Sequence, residues 1–323
     1  MMSKPDILLI GQITVDDTVP ASPALWQRQL GGNALYSLAG ARLWCPAERL
    51  GVVARVPRDL PFDMVSTLTN LGASSLGLVP CSETALIEWI LYEDDGDRQS
   101  FPRNPSLRDP AADMNTLYAR YLAHIANISA SAEDIPSAWL PAKAIHLAPQ
   151  VVERHQASVL RLAGQIGFIS VDPSPHYSRG LSPAALHDLL PTVSAFLPSQ
   201  AEVQHLMGAE QAPQLVTSLV SAGFSEVVLK RGRQGCVLGV NGATPELLIP
   251  AAATPIDLTG AGDAFSGAYT ANRAMGHPPL EAAMRATISA SMIIECFGTE
   301  QAFQLEPADA GRRLKQYKMG EKG

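Results

Sequence analysis

The chain has 323 residues, of which 46% are hydrophobic and 17% are charged, and its formal net charge is −7. This composition predicts a large buried core and excludes a disordered protein, although length alone does not separate one α/β domain from two. The acidic balance and the lack of a Lys/Arg block argue against a nucleic-acid-binding surface, because such a surface needs a basic face to neutralise phosphates.

Short apolar strands alternate with helical segments along most of the chain. The predicted strands are residues 7–10, 49–53, 144–148, 168–171, 195–197 and 227–230, and the predicted helices are residues 33–43, 60–71, 150–163, 183–190 and 212–222. Continuous apolar strands separated by helices are typical of an α/β fold with a mostly parallel sheet covered on both faces. Ligands of such sheets bind outside the carboxyl ends of the strands.

Two segments interrupt this alternation. Residues 84–103 are predicted to form two strands joined by an acidic turn, and residues 12–30 are also non-helical. We expect these two segments to pair as a small β-sheet, the lid, which projects from the main body; an ordinary edge hairpin is the alternative. The predicted domain is therefore a single unit over residues 1–313, followed by a frayed tail at 314–323.

The cysteine pattern predicts a protein of a reducing compartment, and the short apolar runs argue against secretion and against a membrane span. The four cysteines, at positions 45, 81, 236 and 296, lie far apart without a CxxC pair, which favours buried small side chains over a zinc site or a disulfide framework. The first apolar run is too short for a signal peptide, and no apolar stretch reaches the roughly 18 residues of a membrane span. We therefore expect a cytoplasmic protein without a membrane partner.

The segment from Pro255 to Pro279 is chemically the most informative. Its turn of small residues, Thr259-Gly260-Ala261-Gly262, leads into Asp263 and an Ala-rich helix that is expected to end at Gly276. N–H groups at a helix start lack intrahelical partners and lie at the positive end of the helix dipole, and small side chains let an anion approach them closely. The turn therefore predicts a binding site for a phosphate.

Asp263 directly follows this predicted anion site. A carboxylate there repels a resting phosphate, but it can accept the proton of an attacking hydroxyl while a phosphoryl group is transferred. The alternative is an ordinary N-terminal helix residue favoured by the dipole. The segment matches none of the common nucleotide-binding and hydrolase motifs. GxxxxGK[ST] and GxSxG are absent, and Phe265 stands where a dinucleotide-binding GxGxxG motif has its third glycine.

The segment DLTGAGDAF, residues 257–265, resembles the C-terminal signature of the ribokinase/PfkB carbohydrate kinases, a family that includes fructokinase, ketodeoxygluconate kinase and adenosine kinase. The resemblance implies a ribokinase-like fold, ATP as the phosphate donor and Mg²⁺ as a cofactor. It also implies that the Gly260–Gly262 turn, with Ala261, forms the anion hole and that Asp263 is the general base.

The resemblance extends in order along nearly the whole chain and implies further site residues. Those implied to bind the substrate are Asp16, Gly31, Gly32 and Asn33, with Tyr36 and the lid residue Arg98 as further candidates. Those implied to bind ATP are Ser199, Lys230, Gly232, Gly235 and Gly298. Glu202 is implied to hold Mg²⁺ through water, and Asp257 and Thr259 match positions that often coordinate a monovalent cation such as K⁺.

The chain departs from the family pattern at three places. Tyr36 replaces a second Asn that commonly touches the sugar, and Ser199 replaces the Asn of the Asn-x-x-Glu motif, which gives a shorter ligand near Mg²⁺. Arg55 and Arg58 stand where the family usually has Gly-x-Asp-x-x-Gly. Two arginines near Asp59 more often form surface ion pairs than bind an acidic ligand. Because the chain is acidic overall and no Lys/Arg cluster accompanies Asp16 or Gly31-Gly32, we expect a neutral, unphosphorylated substrate.

The leading prediction is an ATP-dependent kinase of a neutral sugar or polyol. A nucleoside kinase is the alternative within the family, favoured if Tyr36 or Trp89 stacks on a base, and a non-catalytic ligand-binding protein on the same fold is the alternative outside it. Projecting strands leave unpaired edges, which predicts a homodimer that pairs through the lid. The histidines at 146, 176 and 277 match no metal-binding spacing and are expected to be structural.

Overall fold

A computed structural model of the chain describes residues 4–19, 27–92, 98–177, 180–208 and 211–320. Its strands are β1 (Ile7–Gln12), β2 (Thr14–Val19), β3 (Gln27–Gly31), β4 (Leu50–Pro57), β5 (Leu78–Cys81), β6 (Ile87–Tyr92), β7 (Arg98–Pro102), β8 (Ala144–Leu147), β9 (Phe168–Val171), β10 (Ala195–Phe196), β11 (Glu226–Lys230), β12 (Cys236–Val240) and β13 (Glu246–Leu248). Its helices are α1 (Asn33–Arg42), α2 (Met64–Asn70), α3 (Met114–Ile128), α4 (Val152–Leu162), α5 (Pro183–Leu189), α6 (Gln200–Met207), α7 (Ala212–Ser221), α8 (Ala261–Ala274), α9 (Pro279–Ile293), α10 (Gly298–Ala302) and α11 (Pro307–Gly320). None of the helices in these ranges combines the length and the hydropathy needed to cross a membrane.

Within the described residues, the main sheet has nine strands in the order β13-β12-β11-β10-β9-β8-β1-β4-β5. The strands from β11 to β5 in this order run parallel, and β12 and β13 add to one edge in antiparallel fashion. The predicted mostly parallel sheet is thereby confirmed. The apolar-run pattern does not identify β13, because this edge strand has only three residues, two of them exposed.

The first strand shows why the central strands are mostly apolar. Leu8 and Ile10 belong to the core shared with α4 to α7, whereas Ile7 and Leu9 belong to the core shared with α1, α8 and α9. All four side chains are fully buried, because alternate residues of a strand point to opposite faces and helices cover both faces here. Each such burial stabilises the fold by about 1.5–3 kcal/mol.

The lid is a separate sheet, as predicted. Within the described residues it has four strands in the order β3-β2-β6-β7, with β2 and β6 parallel and the outer strands antiparallel to their neighbours. It joins the two segments 12–30 and 84–103 that interrupt the helix–strand alternation. Asp16 and Glu88 are partners in the β2–β6 register, so these two carboxylates lie on the same face of the lid.

The C-terminal segment corrects the prediction of a frayed tail from residue 314. Helix α11 continues to Gly320, and Leu314 and Tyr317 are buried in a cluster with Leu43 and Ile288. Tyr317 also donates a hydrogen bond of 2.7 Å to the carbonyl oxygen of Ile249. The segment is therefore helical because one face of it packs against the main body, although its sequence is mostly polar.

Candidate functional site

The carboxyl ends of the parallel strands and the lid border a cleft with a volume of about 2090 Å³. We call the part lined by the lid and the start of α1 the lid side, and the part lined by the turn after β11 the β11 side. The start of α8 lines the cleft as well. The cleft lies where ligands of parallel α/β sheets are expected.

The N-terminus of α8 opens into this cleft. Gly260 precedes the helix with a φ of 75°, a left-handed conformation that favours glycine, and a Cβ there would overlap the buried ring of Tyr36 beneath it. The first helical hydrogen bond runs from the N–H of Ala264 to the carbonyl of Gly260 at 2.9 Å. The N–H groups before Ala264 thus precede the helical ladder, and Gly262 and Asp263 bring the positive end of the dipole to the cleft.

A buried ion pair lies beside this helix start. The ammonium group of Lys230, at the end of β11, donates hydrogen bonds to Asp172 Oδ2 and, over 3.3 Å, to Ser266 Oγ. The Lys230 side chain is 12% exposed and that of Asp172 is 1% exposed. A Cβ added to Gly262 would lie 3.5 Å from Lys230 Nζ, so the ammonium group directly adjoins the α8 turn.

The acidic groups around Lys230 maintain its charge. Burial disfavours the ammonium form, but the carboxylates of Asp172, Glu202 and Asp263 outweigh that effect and raise the pKa of Lys230. Burial, together with the neighbouring Asp172 carboxylate, raises the pKa of Glu202 to about 7. The site therefore combines a stable positive charge with a carboxyl group that titrates near neutral pH.

Two groups of residues predicted to bind ATP and Mg²⁺ surround this ion pair. Ser199 and Glu202 form a capping box at the start of α6, in which Ser199 Oγ accepts the N–H of Glu202 at 3.2 Å and Glu202 Oε2 accepts the N–H of Ser199 at 2.6 Å. Gly232 and Gly235 lie in the turn between β11 and β12 and line the cleft. Ser199 and Glu202 thus lie at the cleft as expected, but each uses a side-chain oxygen within the cap.

Four residues predicted to bind the substrate, Asp16, Gly32, Asn33 and Tyr36, line the cleft. Asp16 is 3% exposed and accepts a hydrogen bond of 2.8 Å from Thr14 Oγ1. Its carboxylate presses against the backbone of Gly31 so closely that a Cβ there would overlap it. Gly32 precedes α1 and lines the cleft together with Asp16. Gly31 therefore leaves room for the Asp16 carboxylate, whereas a Cβ at Gly32 would overlap the backbone of Gln12 and Ile13.

Asn33 connects two loops at the floor of the lid side. Its Oδ1 accepts the N–H of Gln12 at 2.9 Å, and its Nδ2 donates to the carbonyl of Pro149 at 2.9 Å. The next residue, Gln150, lines the cleft and is 1% exposed, yet neither atom of its side-chain amide has a hydrogen-bond partner among the described residues. Since an unsatisfied buried polar group costs about 1–3 kcal/mol, Gln150 is a candidate ligand-binding residue.

Aromatic rings form a wall of the cleft near the lid. Tyr118 and Tyr121, on the same face of α3, contact the ring of His176 with centroid distances of 5.9 and 5.5 Å. Tyr118 Oη lies 3.1 Å from His176 Nδ1, and Tyr121 donates a hydrogen bond of 2.8 Å to Glu88 Oε1 in the lid. Burial, with His205 nearby, lowers the pKa of His176, so the ring is neutral at neutral pH. From the sequence, His176 is expected to be structural, and the structure places it in the lining of the cleft.

Three predicted site residues, Gly31, Asp257 and Gly298, are not among the described residues that line the cleft. Gly298 begins α10, where a Cβ would press on the Gln29 side chain of the lid, and it is not among the described residues that line the cleft. Helix α9 lines the cleft through Thr287, Ala290 and Ser291. The backbone of Arg98 belongs to β7, but its side chain lies outside the described residues.

The other aromatic and basic candidates have partners within the protein. The guanidinium group of Arg103 packs over the Trp89 ring, 4.9 Å from its centroid. Arg55 pairs with Asp134 over 3.2 Å and donates to the carbonyl of Asn127 over 3.0 Å. Arg55 therefore links β4 to the loop after α3, which is a structural role.

The turn from Asp257 to Thr259, which is expected to hold a monovalent cation, is closed by an internal hydrogen bond. The N–H of Thr259 donates to Asp257 Oδ1 at 2.9 Å, and both side chains are buried. Thr259 lines the cleft. Among the described residues, no group of three or more His, Cys, Asp and Glu side chains is arranged to hold a metal ion.

Asp172, Gln150 and Tyr118 are among the cleft residues that were not apparent from the sequence. Asp172 directly follows β9, so the rule that ligands bind at the carboxyl ends of parallel strands could have identified it. Gln150 follows β8 by three positions and is open to the same reasoning. Tyr118 carries no local signal, because its place in the cleft depends on how α3 packs against the lid.

Comparison with known proteins shows that this chain is similar in sequence to kinases. Residues 121–305 match the family model described as pfkB family carbohydrate kinase. The cytidine kinase of Thermococcus kodakarensis is 26% identical over 278 residues, which cover 84% of this chain and 90% of that relative. The 2-dehydro-3-deoxygluconokinase of Escherichia coli strain K12 is 34% identical over 97 residues, which cover 29% of this chain and 31% of that relative.

Solved structures share the fold over nearly the whole chain. Fructokinase from Vibrio cholerae O395, in its fructose-, ADP- and calcium-bound form, has a TM-score of 0.71 at 19% identity, and the match covers 96% of this chain and 99% of that one. The nucleoside kinase of Burkholderia thailandensis, in complex with inosine, has a TM-score of 0.69 at 15% identity, with 96% of each chain covered. At these identities the likeness concerns the fold alone.

Proposed function

Since this chain belongs to the pfkB family of carbohydrate kinases, we propose that it transfers the γ-phosphoryl group of ATP to a hydroxyl of a neutral sugar or polyol, free or as part of a nucleoside. Asp263 is the proposed general base, and the Gly260–Gly262 turn is the proposed anion hole. The observation that carries the proposal is the convergence of the α8 N-terminus, the Lys230 ammonium group and the Asp263 carboxylate at one place in the cleft.

The phosphoryl group in transfer is stabilised by fixed positive groups. Its charge spreads over three equatorial oxygens, and the N–H groups at the start of α8 can donate to them. Lys230 adds a full positive charge beside Gly262. Because Asp172 and Ser266 hold the ammonium group in place, little reorganisation is needed as the charge develops.

The acceptor hydroxyl is activated by Asp263. The hydroxyl oxygen attacks the γ-phosphorus, its proton passes to the Asp263 carboxylate, and the bond from phosphorus to the bridging oxygen of ADP breaks. Asp263 lies in the first turn of α8, next to the anion hole, where an in-line hydroxyl comes within its reach. Asp16, on the lid side, accepts hydrogen bonds from other hydroxyls of the substrate and orients it.

The β11 side fits a divalent cation that accompanies ATP. Glu202 supplies a carboxylate, and Asp172 Oδ1 is a buried carboxylate oxygen without a hydrogen-bond partner among the described residues. Oxygen donors of this kind suit Mg²⁺, and we propose that Glu202 holds it through water, with Asp172 beside it. When bound, Mg²⁺ supplies charge that neutralises the β- and γ-phosphates. A K⁺ ion at the Asp257–Thr259 turn is proposed on the family resemblance.

A neutral acceptor is favoured by the charges on the lid side. Asp16 and Glu88 bring two carboxylates to one face of the lid, and these would repel a substrate that already carries a phosphate. Arg55 is held by Asp134, and neither Arg55 nor Arg58 is among the described residues that line the cleft. These positions support a sugar, polyol or nucleoside over a sugar phosphate.

A nucleoside is the second candidate for the acceptor. It is favoured by the similarity to a cytidine kinase, which extends over 84% of this chain. The similarity to 2-dehydro-3-deoxygluconokinases covers only 29% of the chain, so it carries less weight for the substrate-binding part.

Asp263→Asn tests the proposal. Turnover of ATP with an acceptor should fall by a factor on the order of 10²–10⁴, while ATP binding and thermal stability stay near those of the wild type, because Asn keeps the size of Asp and can cap the helix. Asp309→Asn is the matched control, since Asp309 is also an acidic residue in the first turn of a helix, α11. Retention of more than about a tenth of the wild-type rate by Asp263→Asn would refute the assignment of the base.

A further inference from the structure

Helix α3 presents an apolar stripe to the cleft. Met114, Leu117, Tyr118 and Tyr121 recur at the spacing of one helix face and line the cleft, and Met114 is 77% and Tyr118 49% exposed. The stripe runs for about 10 Å at the helical rise per residue, which is longer than a single sugar ring. Large apolar side chains exposed inside a binding cleft indicate a ligand that covers them.

The rings at the centre of the stripe are held in place before any ligand arrives. Tyr118 and His176 are joined by the contact between Oη and Nδ1, and Tyr121 is tied to Glu88 in the lid. Because the His176 ring is neutral, it adds a further aromatic face without a charge. A rigid aromatic wall of this kind suits a flat aromatic ligand, since little rotamer freedom is lost on binding.

A second feature of the lid side independently indicates a ligand. Gln150 is 1% exposed and lines the cleft, and its side-chain amide offers one acceptor and two donor hydrogens without a partner among the described residues. It follows Pro149, whose carbonyl is bound by Asn33 at the substrate floor. An amide that can both donate and accept matches the vicinal hydroxyls of a ribose or the edge of a base.

We infer that the aromatic wall of Tyr118, Tyr121 and His176 is a subsite for the base of a nucleoside, and that this subsite makes the enzyme select nucleosides over free sugars. This inference rests on the proposed function, since it assigns the acceptor of the same reaction. The sugar of the nucleoside lies between Asp16 and Asp263, and the base extends along α3. A free sugar has no aromatic ring to cover the stripe.

The test compares cytidine with D-ribose as acceptors for the full chain with ATP and Mg²⁺. The kcat/KM for cytidine, or for another nucleoside of a panel with uridine, adenosine and inosine, should exceed that for D-ribose by at least about tenfold, the size of one stacking contribution. Tyr118→Ala should raise the KM for the preferred nucleoside about tenfold with little change in kcat. Tyr118→Phe should keep most of the affinity, because it retains the ring.

Leu160→Ala is the control, because Leu160 is an exposed apolar residue on α4, away from the cleft. It should leave both kinetic parameters unchanged. Phosphorylation of D-ribose at least as efficiently as of every nucleoside, with loss of that activity in Asp263→Asn, would overturn the base subsite and leave the proposed function intact. A KM for the nucleoside that is the same in Tyr118→Ala and the wild type would also overturn the subsite. Failure of all four nucleosides to be phosphorylated would overturn the base subsite as well, whereas the proposed function is tested separately by Asp263→Asn.

Discussion

Replacing Lys230 with Met perturbs the ion pair at the centre of the proposed site. Met keeps the length and the apolar stem of Lys but removes the ammonium group. Asp172, which is 1% exposed, would then retain the 2.8 Å hydrogen bond from Ser266 Oγ without a compensating charge. Removal of one partner of a buried pair typically costs about 3–5 kcal/mol, because the other charge stays buried and unpaired.

This cost is large enough to measure by thermal unfolding. For a chain of 323 residues, an unfolding entropy of about 2.1 cal/mol/K per residue amounts to about 0.7 kcal/mol/K, so the loss corresponds to a fall in Tm of about 4–7 °C. Asp172 can relieve the unpaired charge by taking up a proton. The fall in Tm should therefore be smaller at about pH 5 than at about pH 8.

The double variant Lys230→Met/Asp172→Asn separates the pair from the rest of the site. With both charges removed, the Tm should recover part of the loss, whereas turnover should stay low, because the ammonium group beside Gly262 is still missing. Circular dichroism melts and an ADP-release assay on the same preparations give the two readings. A Tm of Lys230→Met within about 1 °C of the wild type, or additive losses in the double variant, would refute the reasoning.

Three further outcomes are expected. Gly262→Val should reduce turnover at least about 100-fold by filling the proposed anion hole while the Tm changes little, and near-normal turnover would contradict the proposed phosphate site. Folding raises the pKa of Glu202 from 4.5 to about 7. Between these pH values the folded protein binds more protons than the unfolded chain, so the free energy of unfolding falls as pH rises. In metal-free buffer, Glu202→Gln should therefore match the wild type at about pH 5 and exceed its Tm at about pH 8, and equal Tm differences at both values would argue against the shift. Light scattering at micromolar concentration should give the mass of a homodimer that pairs through the lid, and a monomer mass would exclude that pairing.

The sequence alone determined the parts of this protein that are encoded within short segments. The apolar runs specified the parallel strands, because burial on both faces leaves no polar position in the first four residues of β1, Ile7 to Ile10. The start of α8 was also predictable, since the turn of small residues, the helix start and Asp263 lie within a few consecutive residues. The interruption of the helix–strand alternation likewise predicted the lid.

Only the tertiary structure decided which distant side chains meet. Asp172 and Lys230 are 58 positions apart, and so are Tyr118 and His176; each pair depends on which strands and helices become neighbours. The polar sequence of the last helix concealed Leu314 and Tyr317, whose burial requires the surface they pack on. The sequence also gave no sign that Gly298 adjoins Gln29 of the lid. Residue spacing specifies faces and turns within one element, whereas a contact between elements depends on the packing of the whole chain.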